Sequence, residues 1–99
     1  MKKLGIQEVG VRKDGCLYIR PILISDEESK IFEFVYRAGM GIYWDKNEKH
    51  FHSSSPADKA KTSRDWFDQI LKAVKEELGY SLESSKDTIW TGVASQLKS

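Results

Sequence analysis

The pattern of apolar positions divides the chain into a strand-like first half and a more helical second half. Residues 4–12 and 16–24 are rich in β-branched and aliphatic side chains, which are typical of β-strands. The turn residues Lys13, Asp14 and Gly15 lie between them, and an Asp-Gly pair accepts the positive φ angles of a tight turn. The sequence therefore predicts a β-hairpin at the start of the chain.

Further strands are predicted in the rest of the first half. Residues 25–29 are polar and indicate a turn, and residues 30–37 alternate with a period of two, which predicts a strand. Its aromatic positions are expected to face the core. Short strands follow at 42–45 and 50–52, separated by the polar turn 46–49. The aromatic positions of the 30–37 segment are Phe32, Phe34 and Tyr36.

The second half predicts one main helix over residues 63–78. Thr62 or Ser63 can cap its first turn, and Gly79 stands where a left-handed residue ends many helices. Apolar residues recur at spacings of three and four, which gives one apolar stripe. A short segment at 80–82 and a polar loop at 83–87 follow, and residues 88–93 are expected to return as a last strand. The stripe consists of Phe67, Ile70, Leu71, Val74 and Leu78.

Strands followed by one helix indicate an α+β fold, an antiparallel sheet of four to six strands with one main helix packed on one face. The chain has 99 residues, enough for a single domain over 1–99 with one core. One helix of about 24 Å covers only one side of such a sheet. Three Trp, four Tyr and four Phe residues exceed what that layer needs, so an open, partly aromatic sheet face is expected. Such a face is usually an interface or a ligand surface.

Charge and cysteine content narrow the class of protein. Sixteen basic and fifteen acidic residues give a formal net charge of +1, which argues against a nucleic-acid partner. No apolar run is long enough to span a membrane, so no membrane partner is expected. A single cysteine, Cys16, cannot form an internal disulfide and favours a reducing, cytoplasmic location.

Most candidate binding residues come from strand positions that alternation places on the face away from the helix, namely Tyr18, Arg20, Glu33, Arg37, Tyr43 and Asp45. An indole beside a carboxylate at Trp44 and Asp45 is typical of a binding surface. A register shift of one residue would bury this set and expose its neighbours. The candidate binding residues are Trp44, Asp45, Tyr43, Arg20, Tyr18 and Arg37.

An alternative to a binding function is an enzyme that uses His50 and His52. These residues are two apart and so share one side of a strand. With Asp45 they would serve a small hydrolase-like enzyme in a cleft at the end of the sheet. A metal site would need further ligands from Asp45, Glu48 or Cys16, whose proximity nothing in the sequence indicates. The chain contains no dinucleotide-binding or phosphate-binding motif. No metal, no cofactor and no catalytic residue is predicted.

Several segments together resemble small bacterial proteins of mobile gene cassettes, such as those of integrons. The resemblance covers most of the chain and implies a compact bacterial cytoplasmic protein that acts through binding or self-association. It implies no catalytic residue. It is carried by residues 14–21, 35–38, 42–45, 55–56, 65–67 and 77–79 and by Trp90.

The resulting hypothesis is a non-enzymatic binding or interaction module. It would form a homodimer, or bind a protein or small-molecule partner, through the aromatic sheet face. Stacking of single-stranded nucleic acid on Tyr18, Tyr43 and Trp44 would require a basic groove, which the even charge balance disfavours.

Overall fold

The computed structural model describes residues 2–23 and 25–92. They form a mixed fold of two helices and a six-stranded sheet. Ile24 and Val93, the ends of two predicted strands, lie outside the described residues. The elements are β1 (Lys2–Val11), β2 (Leu17–Pro21), α1 (Asp26–Phe32) with a 3₁₀ segment (Glu33–Ala38), β3 (Ile42–Asp45), β4 (His50–Ser53), α2 (Ser63–Ala73) with a π-helical segment (Val74–Leu78), β5 (Tyr80–Glu83) and β6 (Ile89–Trp90).

The predicted hairpin at the start of the chain is confirmed. Strands β1 and β2 pair antiparallel around a turn in which Gly15 has a φ of +88°. The Asp14 carboxylate accepts a hydrogen bond of 3.0 Å from the Cys16 amide, so the aspartate side chain stabilises the turn. Strand β2 ends at Pro21, which has no amide hydrogen to continue the ladder.

The predictions of a turn at 25–29 and of a strand at 30–37 are wrong, because this segment is helical. Ser25 and Glu28 form a capping box at the start of α1, in which the Glu28 side chain accepts from the Ser25 amide at 3.2 Å. Such a box favours a helix start. The buried residues are Phe32 and Val35, spaced by three as a helical face requires, and the period of two among the aromatic residues is coincidental.

The main helix predicted for 63–78 is confirmed. The Thr62 hydroxyl accepts from the Asp65 amide at 3.2 Å, and the Asp65 carboxylate accepts from the Thr62 amide at 2.9 Å. The last turn widens to π-helical geometry and ends at Gly79, whose φ is +76°. Both ends therefore have the capping chemistry that the sequence indicated.

The strand order is β3-β4-β2-β1-β5, with β6 also on β1. The pairs from β3 to β1 are antiparallel, whereas β5 and β6 pair parallel to β1. The expectation of a purely antiparallel sheet is therefore corrected. Helix α2 is the reason, because it carries the chain from β4 to the other edge of the sheet, so that β5 runs in the direction of β1.

The core lies between the sheet and both helices, so the expectation of one main helix on the sheet is also corrected. Phe32 of α1 contacts Phe51 of β4 with ring centroids 5.2 Å apart. Ile70 of α2 is fully buried in the same cluster, together with Ile19 of β2. Helices α1 and α2 thus share one face of the sheet, and the other face carries neither.

Candidate functional site

The sheet face opposite the helices carries two rows of side chains that cross four strands. In the first row, Tyr43 lies opposite His52, which lies opposite Tyr18. In the second row, Asp45 lies opposite His50 and Glu8 lies opposite Arg20. We call this surface the open face, and it comprises Glu8, Gly10, Tyr18, Arg20, Tyr43, Asp45, His50 and His52.

Four of the six predicted binding residues come together on the open face, namely Tyr18, Arg20, Tyr43 and Asp45. Trp44 points to the other side of β3, where it is 9% exposed and its indole N–H donates to the Ser29 hydroxyl at 3.1 Å. Arg37 lies on the exposed 3₁₀ segment, and its guanidinium sits 4.4 Å from the ring centre of Phe34. The strand predicted for 30–37 would have brought Arg37 to the sheet, but the helix does not.

His50 is almost fully buried although it lies on the open face, because neighbouring side chains cover it. It is 3% exposed, and the ring of Tyr18 stacks on it with centroids 4.7 Å apart. This burial lowers the pKa of His50 from 6.5 to about 4, against the opposing charge of Asp45. The imidazole is therefore neutral at pH 7. Its buried Nδ1 has no hydrogen-bond partner.

Two arginines lie among carboxylates at this surface. Arg20 pairs with Glu8 and, at 3.7 Å, with Glu48. Arg12 lies 3.5 Å from the Asp14 carboxylate and 3.9 Å from that of Asp45. Both guanidinium groups are thus largely compensated in charge, and the open face is polar without a strong net sign.

The Asp45 carboxylate also holds the β3–β4 turn. It accepts hydrogen bonds from the amides of Asn47 at 2.9 Å and of Glu48 at 3.1 Å. These bonds, chiefly that from Glu48, lower the pKa of Asp45, so it stays ionised at neutral pH. The position that the sequence marked as a binding residue therefore also stabilises the hairpin.

A groove lies where the 3₁₀ segment meets β3 and the border of the open face. Its two exposed aromatic side chains are Tyr36 of the 3₁₀ segment and Tyr43 of β3, 52% and 45% exposed. The groove is shallow, with a volume of about 490 Å³. We call it the β3-edge groove, and it is lined by Arg12, Glu33, Tyr36, Tyr43, Trp44, Asp45, Lys46 and His52.

The two histidines of the open face lie close together, and burial makes His50 a weak base. Their ring centroids are 5.9 Å apart, but within residues 2–23 and 25–92 no group of three or more His, Cys, Asp or Glu side chains is placed to hold a metal ion. A histidine with a pKa of about 4 is a weak base. Burial also raises the pKa of the Cys16 thiol, so Cys16 is not an activated nucleophile.

Glu8 and Gly10 of the open face, and Arg12 beside Asp45, were not among the predicted site residues. The hairpin prediction contained the signal for them. Pairing β1 with β2 around Asp14 and Gly15 places alternate residues of β1 beside Tyr18 and Arg20. By contrast, no local pattern indicates Tyr36, because its place in the β3-edge groove depends on the helix that replaces the predicted strand.

Comparison with known proteins identifies a family to which the chain is similar. A family model described as integron cassette protein Hfx_Cass5 matches residues 5–88, which includes both helices, strands β2 to β5 and most of β1. No curated protein and no solved structure matches the chain. In the part of the chain that the structure describes, no helix has the length and apolar character to cross a membrane.

Proposed function

The chain belongs to the integron cassette protein Hfx_Cass5 family, and within it we propose a non-enzymatic binding module that works as a homodimer. The proposal places the contact on the open face and its border at β3. The observation that carries it is the pair of side-chain rows across four strands, which neither helix covers. Mixed aromatic and charged surfaces of this kind are characteristic of protein interfaces.

The arrangement of side chains supports binding more than catalysis. The charges of Arg12, Arg20 and Asp45 are compensated by fixed neighbours, and the thiol of Cys16 is buried. Charged side chains that are already paired suit recognition, because less side-chain freedom is lost when a partner covers them. Such a layer also suits a small-molecule or protein partner, which is the alternative occupant of this face.

A cytoplasmic location is part of the proposal. Cys16 is a buried free thiol and the sole cysteine of the sequence, so no internal disulfide contributes to the fold. That use of cysteine suits a reducing compartment.

The test of the proposal is the solution mass, measured by light scattering after gel filtration over a series of concentrations. We expect a species of twice the chain mass that dissociates on dilution. A protein that stays monomeric at the highest concentration would remove the homodimer, and with it this form of the proposal.

A second candidate function is a small hydrolase-like activity, which the convergence of His50, His52 and Asp45 on one face favours. The two functions separate in the double variant His50→Gln, His52→Gln. A binding module should remain dimeric, because glutamine keeps a neutral polar side chain at both positions of the open face. A hydrolase would lose its turnover of generic ester substrates, and turnover in the unmutated protein that this variant abolishes would favour the enzyme.

A further inference from the structure

A second concave surface lies at the end of the sheet where the chain leaves β2, apart from the β3-edge groove. It is a cleft of about 650 Å³ with mostly apolar walls, which is a size and a character typical of sites for small ligands. Ile22, which follows β2, and Ile89 of β6 line it and are 51% and 53% exposed. We call it the isoleucine cleft. The two side chains provide apolar surface that a ligand can cover.

Two backbone irregularities occur in the lining of this cleft. Gln7 lies where the pairing of β1 with β2 shifts by one residue, between Ile6 and Glu8. Lys49 has a φ of +58°, in the left-handed region that a side chain disfavours. Bulges and strained residues of this kind occur preferentially beside functional sites. Their presence in one cleft supports a binding role for it.

The charged side chains of the cleft divide into a paired and an unpaired set. Arg20 pairs with Glu8 and, at 3.7 Å, with Glu48, so its charge is compensated within the chain. In the described part of the chain, the side chains of Lys49 and Asp87 take part in no ion pair. The cleft therefore offers one positive and one negative group to a ligand.

The two unpaired charges belong to opposite ends of the cleft. Lys49 directly precedes β4, and Asp87 lies two residues before β6. Strands β2 and β1 lie between β4 and β6, so three strand spacings of ~4.8 Å separate the two residues, about 14 Å in all. A single amino acid is too short to reach both. An extended tripeptide spans about 10 Å, and the lysine and aspartate side chains cover the rest.

We propose that the isoleucine cleft binds a short apolar peptide with free ends, about three residues long. Its C-terminal carboxylate pairs with Lys49, its N-terminal ammonium pairs with Asp87, and its apolar side chains cover Ile22 and Ile89. A zwitterion suits the cleft because the charged side chains of the lining are two of each sign, whereas a nucleic acid would need an excess of basic residues. The proposal does not depend on the homodimer, since Arg20 is the residue that the cleft shares with the open face.

A titration followed by NMR tests this binding. The tripeptide leucyl-alanyl-leucine is added to the isotope-labelled protein, and the shifts of the backbone amides are recorded. We expect saturable shifts at Ile22 and Ile89, with a dissociation constant of about 1 mM or below. Triglycine has the same end charges without apolar side chains and should bind at least about tenfold more weakly. The absence of saturable shifts up to about 10 mM tripeptide would overturn the proposal.

Paired changes in the peptide and the protein assign its two ends. Lys49→Gln and Asp87→Asn each remove a charge with little change in side-chain size. Amidation of the peptide C-terminus should raise the dissociation constant of the unmutated protein about twofold to fivefold, as for an exposed ion pair, but should have no further effect in Lys49→Gln. Acetylation of the N-terminus should behave in the same way with Asp87→Asn. Such non-additivity is expected for groups in contact, and full additivity in either pair would overturn the assigned contact.

The control variants remove one charge of each sign outside the cleft. Lys46→Gln lies in the same turn as Lys49, and Asp68→Asn lies on α2, and neither position lines the cleft. Both should leave the dissociation constant unchanged. Equal effects of Lys46→Gln and Lys49→Gln, or equal binding of triglycine, would show that the cleft does not select the peptide. The solution mass tests the homodimer separately, so either proposal can fail while the other holds.

Discussion

The phenol ring of Tyr18 lies over the imidazole of His50, with the ring centroids 4.7 Å apart and the planes inclined by 27°. The two residues belong to neighbouring strands, β2 and β4, and the stacking closes the histidine off from solvent. A surface histidine is thereby turned into a buried neutral one. The stability of the protein consequently depends on pH through His50.

Stability should fall as the pH drops from about 6.5 towards about 4. The pKa of His50 is about 4 in the folded protein and 6.5 as its ordinary value. In this window the unfolded chain binds a proton that the folded chain does not, so acid favours unfolding. The full loss is up to about 3 kcal/mol. Denaturant unfolding at several pH values in this window measures it.

His50→Gln is the control for this prediction. It removes the titrating group. The free energy of unfolding should therefore depend less steeply on pH between about 4.5 and about 6.5, where His50 titrates in the unfolded chain. Lowered carboxyl pKa values at Asp14 and Asp45 contribute in the same direction, but chiefly at more acidic pH. Parallel pH profiles for the variant and the unmutated protein would show that burial of His50 does not control the dependence.

Gly10→Ala should destabilise the protein by about 1–3 kcal/mol, the usual cost of forcing extra volume into a packed site. A β-carbon at Gly10 would lie 2.6 Å from the Tyr18 hydroxyl oxygen and would also collide with the Thr91 hydroxyl. The Tyr18 ring would have to move, which would expose His50. The change in the free energy of unfolding and the NMR shift of the His50 ring protons measure the effect.

Gly5→Ala is the matched control in the same strand. Its β-carbon would meet only the end of the flexible, exposed Ile22 side chain, at 3.0 Å. We expect a loss of less than about 0.5 kcal/mol, typical of a surface substitution. An equal loss at both glycines would mean that Tyr18 does not pack over Gly10 in solution.

The side that each β3 residue faces is testable with two neighbouring substitutions. Trp44→Ala should cost about 3–5 kcal/mol, because the indole packs on Phe32 and Phe51. Tyr43→Ala should cost less than about 1 kcal/mol, since its ring is half exposed. Chemical denaturation of both variants at low protein concentration checks the contrast. A larger loss for Tyr43→Ala would mean that β3 is shifted by one residue.

Some elements of the fold could be predicted from the sequence and others could not. The hairpin and α2 were predictable, because the Asp14-Gly15 turn and the Thr62 cap act over a few residues. The segment 30–37 was not, since its alternating aromatic residues fit a strand, and only the capping box of Ser25 and Glu28 favours the helix. Local propensity and local pattern conflict there, and packing of Phe32 against the sheet decides between them.

The candidate site was likewise predictable only where local alternation along a strand determines which side a residue faces. Alternation along β2 and β3 correctly brought Tyr18, Arg20, Tyr43 and Asp45 to one face. It could not place Trp44 there as well, because adjacent residues of a strand face opposite sides. The parallel pairing of β5 with β1 could not be predicted either, because strand order depends on contacts between distant residues that leave no local pattern.

Lys49→Gly should stabilise the protein by up to about 1 kcal/mol. Among the described residues, Lys49 is the non-glycine residue with a positive φ, at +58°, where it ends the β3–β4 turn by donating its amide to the Asp45 carbonyl at 2.7 Å. The left-handed conformation costs a side chain about 1–2 kcal/mol. Glycine removes that cost, although its freedom in the unfolded chain offsets about half of the gain.

Lys46→Gly separates the backbone effect from the loss of a positive charge and from the flexibility of glycine. Lys46 lies in the same turn and is exposed like Lys49, but its φ is not positive. The substitution there should lower the free energy of unfolding by about 0.5–1 kcal/mol. Opposite signs for the two lysines would establish that the turn holds Lys49 in a strained conformation. Equal losses would show that the chain relaxes at Lys49 in solution, and the Asp45 carboxylate alone would then account for the turn.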